Sequence, residues 1–390
     1  MSADFLPGNA LQLLFTGADY FPALIAAIDN AQHEVHLESY IFDDDIIGQR
    51  VAAALAHAAR RGVAIHLLVD GFGARKLTSS LGPAMIQDGV QLLIYRPRPQ
   101  QWRFHWLRLR RLHRKLAVID GRIAFVGGIN ITTDFDAGFT VPRLDYAVRI
   151  EGALVAKVHA TMRHVWHIVR WSQFGRRQNA PQFDPPPSAP TGQAHAALVI
   201  RDNLRHRQDI ENTYVEAINT AQKNIMLANA YFLPGRRFRD ALIKAAQRGV
   251  KVTLILQGKA DYILQHHAML ALYDSLLAAG VKIFEYQPAY LHAKVAVIDR
   301  AWATVGSSNI DPFSLLLSRE ANLIARDALF AQALTQHLES VIEKDTIEIT
   351  LSQQTQSWLK RQINTTAYAL IRLLVSVTGY GRQTGSPYDE

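Results

Sequence analysis

Two rhythms alternate along this chain. Short runs of β-branched and aliphatic residues, the pattern of buried strands, separate longer stretches in which apolar positions return every three or four residues, the pattern of amphipathic helices. Strands are predicted at 35–42, 64–70 and 91–96, with a helix over 47–61 and another before the last strand. The order then returns: strands at 225–232, 251–257 and 282–287, with a helix over 236–248. The residues repeat as well as the rhythm. Ala31–Phe42 aligns with Ala221–Phe232, Ala59-Arg-Arg-Gly-Val63 with Ala246-Gln-Arg-Gly-Val250, and Gly89-Val90 with Gly280-Val281. Strands alternating with helices, twice over, predict an α/β fold of two homologous halves, each a mixed β-sheet flanked by helices.

Boundaries follow from composition. Residues 173–193 hold five of the fifteen prolines, which disfavours regular structure and marks a linker over about 173–195. The halves are therefore 1–172 and 196–345, with a tail over 346–390. Within that tail, Trp358–Tyr380 carries no acid, three basic residues and a largely apolar second half. Such a segment suits a helix lying in a membrane interface and equally one packed on the protein's own core.

Each half ends in the same polar signature. His113, Lys115, Asp120, Gly127, Gly128 and Asn130 recur at identical spacing as His292, Lys294, Asp299, Gly306, Ser307 and Asn309. Lys115-Leu-Ala-Val-Ile and Lys294-Val-Ala-Val-Ile read as buried strands, so His and Lys, two apart, project from one face. The glycines admit close backbone approach, and each Asn brings an amide. Packing would have preserved an aliphatic pattern, not the four polar identities His, Lys, Asp and Asn among six matched positions. Two half-sites meeting in one active site at the interface of the halves explain the duplication, and two imidazoles, two ammoniums and two amides suit an anion under attack. A phosphodiester fits best.

Composition narrows the choices. The chain has 390 residues, 49% of them hydrophobic and 19% charged, enough for two full-sized cores. It has no Cys, which removes disulfides, thiolate zinc sites and thiol nucleophiles. A net charge of +8 favours polyanionic partners, nucleic acid or an anionic membrane, without choosing between them. No basic-then-apolar leader and no bilayer-length apolar run are apparent, so a soluble or peripheral protein is expected.

The halves differ in one place. Tyr95 precedes His113 by 18 positions, whereas Tyr286 precedes His292 by 6, a twelve-residue insertion in the first half. Residues 96–114 hold seven arginines, among them Arg103, Arg108 and Arg110, with Trp102, Phe104 and Trp106 and no acid. That composition suits a loop binding anionic headgroups with rings at the interface, single-stranded nucleic acid stacked on those rings, or a solvated basic loop.

The doubled His-x-Lys-x4-Asp motif with its Gly-Gly/Ser-x-Asn continuation resembles the phospholipase D superfamily, and within it the short bacterial cardiolipin synthases that lack amino-terminal membrane spans. Glu38-Ser-Tyr-Ile-Phe, Asp145-Tyr-Ala-Val-Arg and Asn309-Ile-Asp311-Pro add to the likeness, which runs from about residue 10 to about residue 345. The resemblance implies a phosphatidyl transfer between two phosphatidylglycerol molecules through a phosphohistidine, with His113 as nucleophile and His292 as acid and base. It further implies Lys115, Lys294, Asn130, Asn309 and Ser307 around the phosphate, Asp145 and Glu320 as acids orienting the histidines, and no cofactor or metal. A phospholipid- or nucleic-acid-hydrolysing phosphodiesterase is the alternative, although no nucleic-acid partner is expected. Arg103, Arg108, Arg110, Trp102 and Trp106 would meet an anionic membrane on the cytoplasmic side of a bacterial inner membrane; no oligomeric state is implied. Asp120 and Asp299 complete the catalytic signature, yet their place after the strand reads as bracing loops or pairing with basic groups across the half-to-half interface.

Overall fold

The computed structural model describes residues 3–97, 110–136, 138–175, 189–202, 205–259, 262–312, 318–351 and 358–377. Most of the insertion, with Arg103, Arg108, Trp102 and Trp106, lies outside them, as do residues 176–188 of the Pro-rich segment.

The first half runs β1 (Leu6–Phe15), α1 (Thr16–Asp29), β2 (Glu34–Ser39), α2 (Ile46–Arg60), β3 (Ala64–Asp70), α3 (Leu81–Gln87) and β4 (Gln91–Tyr95). It continues through β5 (Arg111–Leu112), β6 (Lys115–Ile119), β7 (Ile123–Gly127), β8 (Tyr146–Gly152) and α4 (Leu154–Phe174). The second half opens with β9 (Ala194–Arg201), α5 (Asp209–Thr220), β10 (Asn224–Asn229), α6 (Arg236–Gln247), β11 (Lys251–Gln257), α7 (Ile263–Ala278) and β12 (Lys282–Tyr286). It closes with β13 (Lys294–Ile298), β14 (Trp302–Gly306), β15 (Ser318–Arg326), α8 (Ala328–Asp345), β16 (Thr346–Ile349) and α9 (Trp358–Val377).

Apart from β5, the strands join in one sheet. Its order is β16-β12-β11-β10-β13-β14-β15-β9-β1-β8-β7-β6-β2-β3-β4, so each half repeats the other outward from the antiparallel β1–β9 pair at the centre. In both halves the three outer strands of the repeat are parallel and the rest antiparallel, which is the mixed sheet the alternation predicted. The motif strands β6 and β13 are buried on both faces, as their unbroken apolar runs require.

One core is shared. Leu116, Val118, Tyr146 and Met162 of the first half pack in one cluster with Val295, Val297, Phe330 and Leu334 of the second. Burying those side chains together makes the halves a single body, which is the condition for holding two half-sites in register. Helix α2 starts at an N-cap, Asp45, whose carboxylate accepts from the Ile47 and Gly48 N–H groups. Helix α9, left open between interface and core, packs one face on α7 through Ala367 and Ile371, and Asn364 lies 2.7 Å from His267 Nδ1.

Candidate active site

Both histidines stand where a short connection enters a motif strand, and each is tied to the opposite half. The His113 N–H donates to the Arg319 carbonyl at 3.0 Å, and the His292 N–H to the Leu144 carbonyl at 2.9 Å. Strand β5 pairs with β15 just before His113, and Leu144 bridges Leu291 just before His292. These paired stitches set the two imidazoles at one junction.

The acids cross over. His113 Nδ1 donates to Glu320 of the second half at 2.9 Å, and His292 Nδ1 donates to Asp145 of the first at 2.6 Å. Each carboxylate thus holds the ring of the other half, fixes the Nδ1–H tautomer and leaves Nε2 as the reactive nitrogen. The acids are themselves anchored. Asp145 accepts the Tyr146 N–H at 2.8 Å, and Glu320 accepts the Ser307 hydroxyl at 2.6 Å. The resemblance pointed to both acids; it contained nothing about which ring each would meet.

The lysines are buried beside the rings. Lys115 Nζ donates to the His113 carbonyl at 2.7 Å, and Lys294 Nζ to the His292 carbonyl. Burial, only partly opposed by Glu320, brings Lys115 down to about 7; burial, partly opposed by Asp145, brings Lys294 down to about 8. Burial and then the neighbouring cations also lower His292 well below an ordinary histidine, and burial lowers His113. Asp145 is pushed up by burial to about 6. The downward shifts of the lysines and histidines would relax when an anion docks, because a negative charge favours the cationic forms around it, whereas Asp145 would be pushed further up.

Three residues need correction. Ser307 does not face a phosphate: its hydroxyl is fully buried, donating to Glu320 and accepting the Ala321 N–H at 3.0 Å. At the matching position of the first half, the Gly128 N–H donates to the Tyr146 carbonyl at 2.9 Å. Asp120 and Asp299 sit at the far ends of β6 and β13, away from the histidines, which removes them from the catalytic set. Of the two other roles their place suggested, they do not pair across the interface but do brace loops. Asp120 accepts three backbone N–H groups, from Gln32, His33 and Glu34; Asp299 accepts those of Gln222, Lys223 and Asn224. Both adopt positive φ, 51° and 52°, a left-handed turn that an aspartate tolerates and that aims its carboxylate back at the preceding connection.

Asn130 is buried and gives its carbonyl oxygen to the Ile41 N–H at 3.3 Å, leaving its NH2 end as the donor. Asn309 is buried at the matching position. Arg110 is half-buried at the mouth, where burial and then Arg96 lower its basicity.

Several contributors escaped sequence reasoning. Arg114, between the motif His and Lys, makes a two-pronged pair with Glu38 of β2, both N–O distances 2.9 Å and both side chains buried. The repeat alignment carried a signal for it: Glu38 and Arg114 correspond to Ala228 and Ala293, a pair of charges in one half where the other has a pair of alanines. Asp70 fixes the β5 turn by accepting the Leu112 N–H at 2.9 Å. The Tyr40 ring meets His113 edge-on at 4.8 Å, with Lys115 Nζ 5.3 Å from its centre.

Among the described residues, one cluster has a metal-ligating composition: Glu34, His36 and His159, all buried, with ligand atoms within 4.8 Å of one another. It lies at the opposite end of β2 from Glu38. Its carboxylate already serves both rings, at 3.3 Å from His36 Nε2 and 2.7 Å from His159 Nε2, and Arg163 adds a cation beside it.

With this geometry in place, the comparisons with known proteins become decisive. A family profile described as "Cardiolipin synthase, PLD-like domain" matches residues 24–166 and 214–342, one block on each half. The chain belongs to this family. It is similar to cardiolipin synthase B of Escherichia coli K12, 37% identical over 97% of this chain and 92% of that protein. It is also similar to the probable cardiolipin synthase YwiE of Bacillus subtilis, 29% identical over 86% of this chain and 66% of that one. Among solved structures, a phosphatidylserine synthase of Haemophilus influenzae aligns with a TM-score of 0.68 over 96% of this chain and 95% of that chain. At 14% identity that likeness shows the fold alone, the two-half α/β fold of the phospholipase D type.

For a member of this family, Gly128 carries a testable consequence. A Cβ on it would collide with both carboxylate oxygens of Asp145. Gly128→Ala is therefore expected to displace the acid from His292 and lower kcat about a hundredfold, with KM little changed. Steady-state kinetics check it; unchanged kcat would mean that Asp145 does not need this position.

Proposed function

We propose that the chain is a cardiolipin synthase: a phosphatidyltransferase that moves a phosphatidyl group from one phosphatidylglycerol to another and releases glycerol. Crosswise pairing of two histidines with buried acids, beside two lysines, is the observation that carries the reading. His113 Nε2 attacks phosphorus, the bond to the donor's glycerol oxygen breaks, and His292 gives a proton to that oxygen. The second step runs in reverse sense. His292 takes the proton from the acceptor's hydroxyl, whose oxygen attacks the phosphohistidine and frees His113. Lys115, Lys294 and the amides of Asn130 and Asn309 offset the charge on the non-bridging oxygens.

Membership of the family and the near-complete match to relatives of that printed name support this reading over hydrolysis, whose site would use the same residues. The chain would act peripherally at the cytoplasmic face of a bacterial inner membrane; no described helix is long and apolar enough to cross a membrane. The test is product analysis after purified protein meets phosphatidylglycerol vesicles with EDTA present. Cardiolipin and free glycerol are expected. Phosphatidic acid alone would make the enzyme a hydrolase, and dependence on added metal would overturn the role given to the lysines.

A pH profile follows. Asp145 must be ionised to accept from His292, which holds above about 6, and Lys115 must be protonated, which holds below about 7. The profile of kcat/KM, which reports the free enzyme, is expected to rise through the first value and fall through the second, with Lys294 steepening the fall near about 8. A flat profile over that span would remove both groups from the rate-limiting chemistry.

A further inference from the structure

Helix α9 runs antiparallel to α7: Asn364 meets His267, while Arg361, earlier on α9, lies 3.8 Å from Asp274, later on α7. Seven residues beyond Asn364, roughly 10 Å along the helix, Ile371 comes level with the first turn of α7. That turn adjoins the active-site mouth. Tyr262, immediately before it, meets Tyr231 edge-on at 5.7 Å and is close enough to act on the Tyr40 hydroxyl, whose ring lies against His113.

Exposed apolar side chains gather there. Ile263 and Leu264 of α7, Tyr262, and Leu370 and Leu373 of α9 are each between 41% and 71% exposed. Beside them Arg372 of α9 is exposed, and the start of the same helix carries Lys360 and Arg361, the latter against Asp274 of α7; α9 itself has no acid. A flat apolar patch with a cationic rim, beside an opening that must admit a two-chain lipid, has the chemistry of an anionic bilayer surface.

We propose that the outer face of α9, together with the first turn of α7, is the membrane-docking surface. It seats the active-site mouth on an anionic bilayer, so that phosphatidylglycerol reaches His113 without leaving lipid. The inference rests on the lipid-substrate reading above, but it is testable without catalysis.

The experiment compares wild type with Ile263→Asp/Leu370→Asp/Leu373→Asp. Sedimentation with vesicles of phosphatidylglycerol and phosphatidylcholine reads binding; turnover of a short-chain, monomerically dispersed phosphatidylglycerol reads the chemistry. Partition is expected to fall about tenfold per residue replaced, to weaken in wild type as salt rises or phosphatidylglycerol is omitted, and to leave short-chain turnover unchanged. Unchanged partition would overturn the proposal, and a changed oligomeric state with unchanged partition would give the face to a second copy of the chain. Equal loss of short-chain turnover would also overturn it, by placing these residues in the site. A wild type that binds vesicles and loses binding on substitution, yet turns over neither lipid, would sink cardiolipin synthesis and leave the docking face standing.

Discussion

Replacing His113 or His292 with alanine is expected to lower kcat by about 10^4 or more while leaving the folded state in place. Both side chains are partly open, 15% and 20% exposed, so truncation removes little buried contact. Each also leaves behind an acid that keeps a second partner, Ser307 for Glu320 and the Tyr146 N–H for Asp145. Because the two rings act in one sequence, the double variant should be no slower than either single one. A donor lipid with a good leaving group separates their roles. It needs no proton, so His292→Ala should accumulate an acid-labile phosphohistidine that His113→Ala does not form. The opposite pattern would assign the nucleophile to His292, and appreciable turnover in either variant would end the two-histidine mechanism.

Much of this was readable from the chain because periodicity and repetition are local signals. The strand at 64–70, the strand at 251–257 and the doubled polar signature needed only spacing. What resisted were contacts between residues far apart in sequence. Glu320 lies 207 positions from His113, and Asp145 lies 147 from His292, so a repeat invites each half to be read as self-contained when the acids in fact exchange. Ser307 misled for a related reason. A hydroxyl beside a phosphate-binding motif suggests a donor to phosphate, but its strand neighbour β15 brings Glu320 within reach first. Asp120 and Asp299 drew attention by fixed spacing, and that spacing reflects a turn that must cap the connection entering β2 or β10.

Glu38 and Arg114 are where the two halves part company, and there the largest stability effect is expected. Both charges are buried, and burial pushes Glu38 upward even with Arg114 against it. Removing one partner strands the other charge in the interior; Glu38→Ala or Arg114→Ala should each cost about 3–5 kcal/mol in urea unfolding. Removing both is another matter. The second half has Ala228 and Ala293 at the matching positions, both buried in the shared core, and β10 still pairs with β13 as β2 does with β6. The double variant Glu38→Ala/Arg114→Ala should therefore recover most of the loss of either single change, giving a large favourable coupling in the cycle. Simple additivity would mean that the stems of these side chains, not their charges, hold β6 to β2. Activity should follow the same order, because Arg114 stands between His113 and Lys115: whatever lets the start of β6 shift moves the imidazole and the ammonium together.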